Sequence, residues 1–368
     1  MNRVIRTVVA ALAALTCTVS TSEAKAPNAS LIYVVSKSMS SLGAANELSQ
    51  IDLRTGAVLH RISESKPADL PNLVLDRSGT RLWWLEDAGL RSRLMLLDSR
   101  SWTVDRYASL LNAMRYLIYG PSRLQLAEEC CNQNVGGSRL FVYEWSTPAP
   151  GVAVTWLAVY DPTSLRVEVR HIAMKGCGVA VMSSAGGRLV VACNGSADIR
   201  IVNVRTLHVV RVSLRGRLAD TIAGVFPVAW DRVYVVDRQL RIVELDPATA
   251  KIVRTAAPEG QNAQASPVLY GAAVLSDGHT LVVGSMADAR ETDSAFSLRV
   301  VDLRTMKLLR TAAIPHYVHV AAAPDGGLLL FPMGDSADRD WRITWTDAQL
   351  TESRTVAKLD GPVFWVAS

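Results

Sequence analysis

GRLVVA, Gly187–Ala192, followed by VNVRTL, Val202–Leu207, decides the fold, because both phrases recur along the chain. The first is a turn residue feeding a short apolar strand. It returns as SLIYVV from Ser30, TRLWWL from Thr80, SRLFVY from Ser138, DRVYVV from Asp231, HTLVVG from His279 and GGLLLF from Gly326. Successive copies begin 50, 58, 49, 44, 48 and 47 residues apart. The second phrase is an apolar strand ending in a polar turn. It returns as IDLRTG from Ile51, LDSRSW from Leu97, YDPTSL from Tyr160, LDPATA from Leu245 and VDLRTM from Val301, with a degraded seventh copy, TWTDAQ, from Thr344.

Each unit reads strand, strand, turn, strand, with one more strand leading onward. Four strands in about 45–50 residues are the signature of a propeller blade. Seven units therefore predict an all-β, seven-bladed β-propeller of four-stranded blades. The chain enters in the middle of a blade at Leu31–Val35 and ends in the strand Pro362–Val366, which completes that first blade and closes the ring. The Asp or Asn of the second phrase bonds its own backbone turn, a structural role. No linker or charge block divides residues 25–368, which read as a single domain.

The opening MNRVIRTVVAALAALTCTVSTSEAKA has Arg3 and Arg6 before a short apolar core, then small residues. That is the pattern of an export signal over residues 1–24, with a second cleavage point after 26, and it is too short for a membrane span. Ala14-Leu15-Thr16 before Cys17 makes a poor lipobox. No later run is long enough to cross a membrane, so a periplasmic or extracellular location is expected. The formal net charge of +5 is spread along the chain. It forms no basic block of the kind nucleic-acid binding requires.

Export leaves Cys130, Cys131, Cys177 and Cys193, an even number in an oxidising compartment. A hairpin centred on Ala185 puts Cys177 opposite Cys193, Val179 opposite Val191 and Val181 opposite Leu189, all on one face. Such neighbours lie within reach of a disulfide. The spacing matches neither a CxxC dithiol nor a CxxCH haem site. Cys130 and Cys131 then have each other as a vicinal pair, although four cysteines permit three pairings. Zinc would need adjacent residues at two tetrahedral corners.

Two blades carry surplus sequence: LQLAEECCNQNVGG (Leu124–Gly137), with the long strands joined around Ser146–Pro150, and the charged loop SMADARETDSAF (Ser285–Phe296). Propellers place function in loops and around the channel. His316 and His319 in IPHYVHVAA lie three apart, so a strand sends them to opposite faces, which leaves one able to face the channel and ordinary packing or turn roles as the alternative. They join Arg290 and Glu291 of the charged loop, flanked by Asp288 and Asp293, as candidate channel or face contacts. Asp335, Asp338 and Asp340 lack calcium-loop spacing. There is no serine elbow, Walker loop or dinucleotide fingerprint, and no catalytic residue is assigned.

Cys177, Cys193 and the following Gly195-Ser196, together with Asp288–Leu309, resemble the heavy subunit of the quinoprotein amine dehydrogenases, of the methylamine dehydrogenase type. The specific part of the likeness spans Gly176–Leu309, and the Cys130-Cys131 loop falls outside it. The resemblance implies an exported seven-bladed propeller with a disulfide around a blade hairpin. It further implies a noncatalytic partner to a small light subunit bearing a tryptophan-derived quinone, and contact with a periplasmic electron carrier. This chain itself would then hold no cofactor. Two other readings accompany it: an independent propeller binding a small molecule or glycan, and a propeller hydrolase or lyase, which rests on fold analogy alone.

Overall fold

The computed structural model describes residues 30–40, 43–64, 72–76, 79–86, 93–109, 123–128, 138–149, 152–174, 177, 180–193, 197–218, 222–229, 231–257, 268–286, 296–314, 318–332, 341–359, 361 and 363–367. The chain opens with β1 (Leu31–Ser40), β2 (Gly43–Asp52) and β3 (Val58–Glu64). Blade 2 follows as β4 (Asn72–Leu75), β5 (Arg81–Glu86), β6 (Arg93–Asp98) and β7 (Thr103–Ser109). Blade 3 is β8 (Arg123–Glu128), β9 (Ser138–Ala149), β10 (Val152–Tyr160) and β11 (Val167–Ala173). Blade 4 is β12 (Ala180–Ala185), β13 (Arg188–Cys193), β14 (Asp198–Asn203) and β15 (Val209–Ser213). Blade 5 is β16 (Ile222–Ala229), β17 (Arg232–Asp237), β18 (Ile242–Asp246) and β19 (Lys251–Ala256). Blade 6 is β20 (Val268–Val274), β21 (Thr280–Met286), β22 (Phe296–Asp302) and β23 (Lys307–Ile314). Blade 7 is β24 (His319–Ala322), β25 (Leu328–Phe331), β26 (Arg342–Thr346) and β27 (Ser353–Lys358). The last strand, β28 (Val363–Ala367), pairs antiparallel with β1 and completes blade 1 in the order β28-β1-β2-β3.

Seven antiparallel four-stranded sheets therefore form the predicted propeller, closed by its C-terminal strand. From β28 through β4, β8, β12, β16 and β20 to β24, the innermost strands lie one against the next, so these strands ring the axis. Apolar clusters fill the seams between blades. Ile32, Val34 and Ile51 of blade 1 meet Leu329, Phe331 and Ile343 of blade 7, all buried. Valine, leucine and isoleucine dominate because each inner sheet is covered on both faces.

The turn after the third strand of each blade has a common cause. Asp52 Oδ1 accepts the N–H groups of Arg54 and Thr55 at 2.9 and 2.8 Å. Asp98, Asp161, Asn203 and Asp246 do the same two and three residues on. Each turn closes on a residue with positive φ: Gly56, Trp102, Leu165, Leu207, Ala250, Met306 and Leu350. In the degraded seventh copy Asp347 instead accepts from Thr351 and Glu352, and the left-handed residue comes one place earlier.

These bonds hold the turn carboxylates below their usual 3.8: the Thr55 N–H at Asp52, the Ser101 N–H at Asp98, the Ser164 hydroxyl at Asp161 and the Thr351 hydroxyl at Asp347. A depressed folded pKa stabilises fully above the unfolded value and is lost as pH falls through the folded one. Thermal stability should therefore be level above about pH 5 and fall below about pH 4. Changing Asp52, Asp98, Asp161 and Asp347 together to asparagine should flatten that acid slope, since Asn203 already makes the same bonds without a titrating group. An unchanged slope in melting curves from pH 2 to 6 would place its origin elsewhere.

Arginines link successive blades. Arg139 Nη1 donates to Arg205 O at 2.8 Å and to Val204 O, Arg254 Nη2 to Leu303 O at 3.0 Å, and Arg310 to Gln349 O. Arg354 Nη1 donates to Leu53 O at 2.8 Å across the ring-closing seam. Part of the positive surplus is thus absorbed in holding the ring together.

The cysteine hairpin differs from its expected register. Ala180, not Cys177, sits opposite Cys193, and Met182 and Ser184 oppose Val191 and Leu189. The turn is Gly186–Gly187, both at positive φ (53° and 71°). A two-residue primed turn needs φ > 0 at both positions, and the glycine pair supplies it without steric cost. Cys177 consequently lies before β12, its N–H bonded to Met174 O at 3.0 Å. The Cys177–Cys193 disulfide, with an S–S distance of 2.03 Å, ties the link between blades 3 and 4 to β13 rather than pinning a hairpin register.

Candidate functional site

The two rims of the ring are built differently. First-to-second and third-to-fourth strand turns fall on one rim, where the stereotyped aspartate turns lie. Second-to-third turns and the links between blades fall on the other. On that second rim two hairpins outrun their blades. Among the described residues, β1 and β2 stay paired up to Ser40↔Gly43, beyond the last pairings of β28, at Ser36, and of β3, at Asn46↔Glu64. Among the described residues, β9 and β10 stay paired up to Ala149↔Val152, beyond the last pairings of β8, at Tyr143, and of β11, at Trp156. Blades 1 and 3 thus raise two β-ribbons on the same rim, one on each side of blade 2.

The blade 3 ribbon stands on a buried polar base. Tyr143 Oη donates to Cys177 O at 3.3 Å and Thr155 Oγ1 to Met174 O at 2.5 Å. Burial pushes the Tyr143 phenol up to about 12. Across the seam Asp198, 1% exposed, pairs with Arg211 and, at 3.7 Å, with Arg200. Burial, and then the neighbouring Arg211, pulls the Arg200 guanidinium down. Only the Asp198–Arg200 pair is desolvated on both sides, since the Arg211 side chain is 59% exposed, and such a buried pair is weak evidence for stability.

The residues singled out from sequence are dispersed. His319 opens β24, an axis-lining strand; its ring stacks on Phe331 with centroids 5.8 Å apart. Its Nδ1 lies 3.3 Å from where a Cβ on Gly271 would be, so blades 6 and 7 approach closely there. His316, Arg290, Glu291, Cys130 and Cys131 lie outside the described residues, as do Asp335, Asp338 and Asp340. The strands flanking Arg290 and Glu291 meet at Met286↔Phe296, on the ribbon-bearing rim. Those flanking Cys130 and Cys131 meet at Glu128↔Ser138, on the opposite rim. The two surplus segments therefore attach to opposite sides of the ring. Among the described residues no three His, Cys, Asp or Glu side chains gather as a metal set, and no helix is long and apolar enough to cross a membrane.

Sequence reasoning missed the β1–β2 ribbon and the Asp198–Arg200–Arg211 cluster. SKSMSSLGAANE lacks apolar alternation, and its blade has an ordinary length. The charged cluster has a faint signal: Asp198 and Arg200 share one face of a strand otherwise apolar.

The chain is a seven-bladed β-propeller. No family model matches it, and no curated protein is found similar to it. Solved structures share its fold at low identity. A protein of Bacteroides fragilis provisionally assigned as a 6-phosphogluconolactonase is 13% identical, with TM-score 0.57, covering 92% of this chain and 98% of its own. The Cps50 (Swd1) β-propeller domain of Myceliophteria thermophila is 13% identical, with TM-score 0.55, over 78% and 88%. The dihydro-heme d1 dehydrogenase NirN in complex with DHE is 14% identical, with TM-score 0.53, over 92% and 75%. Such likeness establishes the fold alone.

Proposed function

We propose that this chain is a noncatalytic propeller scaffold, working in a periplasmic or extracellular compartment, that holds a protein partner on its ribbon-bearing rim. The observation that carries this reading is the pair of ribbons from blades 1 and 3, raised on one rim while the third-to-fourth strand turns of the other are tight aspartate turns. Irregular and projecting elements on a rigid frame are where binding concentrates. The more specific form of the proposal follows the amine dehydrogenase resemblance. The partner is then a small light subunit bearing a tryptophan-derived quinone, and the complex passes electrons to a periplasmic carrier.

Native purification with intact-mass analysis and an absorption spectrum tests both levels. A defined complex with quinone absorbance is expected from the specific form; a lone chain without that absorbance removes it. Replacing residues 146–154 by a two-residue turn should abolish complex formation while leaving the disulfide and fold intact. Retention of the partner by that variant would remove the rim assignment. His319, on an axis-lining strand and stacked on Phe331, favours a second reading, a small-molecule or glycan site at the channel. Calorimetric binding by the purified chain alone, lost in His319→Ala, would select it.

A further inference from the structure

We propose that the seam between blades 1 and 2 is the compliant joint of the ring, admitting water more readily than the seam between blades 2 and 3. Two indoles carry the argument. Trp84 is 0% exposed and packs in one cluster with Tyr33, Val35 and Leu48 of blade 1, yet its Nε1–H is buried without an acceptor among the described residues. Trp102 reaches the same seam, and its Nε1–H is likewise buried without one. Native interiors seldom leave such donors unmade, so a seam holding two of them is one that water visits.

The ties described across this seam are also of a different kind. At the next seam the Trp83 indole donates to Pro162 O at 2.8 Å. Arg139, Arg254, Arg310 and Arg354 join later blades by directional bonds to backbone carbonyls. Between blades 1 and 2 the described ties at the turn are ring stacks, Trp102 lying 6.1 Å from Tyr33 and 5.5 Å from His60. Stacked faces slide without breaking a directional bond. Opening here would change the gap between the ribbons on blades 1 and 3, a consequence that rests on the scaffold reading.

Indole N–H hydrogen exchange, read by NMR on the full chain without any partner, tests the seam. The Trp84 and Trp102 signals should exchange at least about tenfold faster than that of Trp83. Equal protection of Trp84 and Trp83 would overturn the proposal. In a second measurement, Trp84→Phe removes the unmade donor and keeps a ring. Its Tm should equal or exceed the parent's, and a fall of more than about 2 °C, the ordinary result of truncating a sealed core, would also overturn it. Neither measurement involves the ribbons, so the scaffold reading and the seam stand or fall separately.

Discussion

Replacing Gly56 with alanine is expected to destabilise the ring by about 2–5 kcal/mol, from two separable causes. Gly56 has φ +72°, and a Cβ built on it would lie 2.0 Å from the carbonyl oxygen of Val356. The left-handed backbone alone costs a residue with a side chain about 1–2 kcal/mol. That cost is evidently bearable, because Trp102, Leu165, Leu207, Ala250, Met306 and Leu350 close the other turns in the same conformation. The contact is what sets Gly56 apart. Its neighbour is backbone of β27, which cannot rotate aside, and β27 is anchored to blade 1 by Arg354 Nη1 on Leu53 O. Relief means moving a strand at the seam where the ring closes, and overpacking of that sort typically costs about 1–3 kcal/mol more.

Ala250→Gly is the matched control, since it changes the same turn position where φ is +57°. It should alter stability by less than about 1 kcal/mol, because glycine relieves local strain while loosening the unfolded chain. Urea unfolding of both variants, with the parent beside them, separates conformation from contact. A Gly56→Ala midpoint close to the parent's would show that the blade 7 backbone gives way, and the ring-closing seam would then be softer than its bonds imply.

The repeat made the ring legible because a blade is a local object. Each apolar phrase must be covered on two faces and each turn must satisfy its own backbone, so both requirements are written within a few residues of one another. The aspartates read as turn residues from Ile51-Asp52 and Val301-Asp302 do accept the backbone and hydroxyl bonds of their own turns. Register is less local. A midpoint at Ala185 and the observed Gly186–Gly187 turn differ by one and a half residues, which is enough to move every cross-strand partner. Turn chemistry decides between them, since a glycine pair fits a two-residue primed turn. The candidate site was less legible still. How far β9 outruns β8 and β11 depends on strands outside that hairpin, and no spacing within SRLFVYEW encodes it. His319 could be placed on a strand, but which sheet edge lines the axis follows only from closure of the whole ring.

Removing the disulfide should cost about 3–4 kcal/mol, mostly by freeing the unfolded chain. Cys177 and Cys193 are 16 residues apart, and closing a loop of that size restricts the denatured ensemble by about 3 kcal/mol. The remainder is packing, because both sulfurs lie in the seam core with Phe141, Tyr143, Leu157 and Met174. The informative variant is Cys177→Ala with Cys193→Ala, which leaves neither an unpaired buried thiol nor a buried hydroxyl. Its stability should equal that of the parent unfolded under reducing conditions. The folded parent should resist reductant, since the two residues are only 3% and 0% exposed. Rapid reduction without unfolding would mean that the seam between blades 3 and 4 opens in the native state. The staple also bears on function. Tyr143 Oη donates to Cys177 O, so freeing that link loosens the foot of the blade 3 ribbon. A partner held by that ribbon should then dissociate faster from the double variant even at temperatures where its ring is fully folded. Unchanged dissociation would leave the disulfide a stabilising bond with no part in presenting the ribbon.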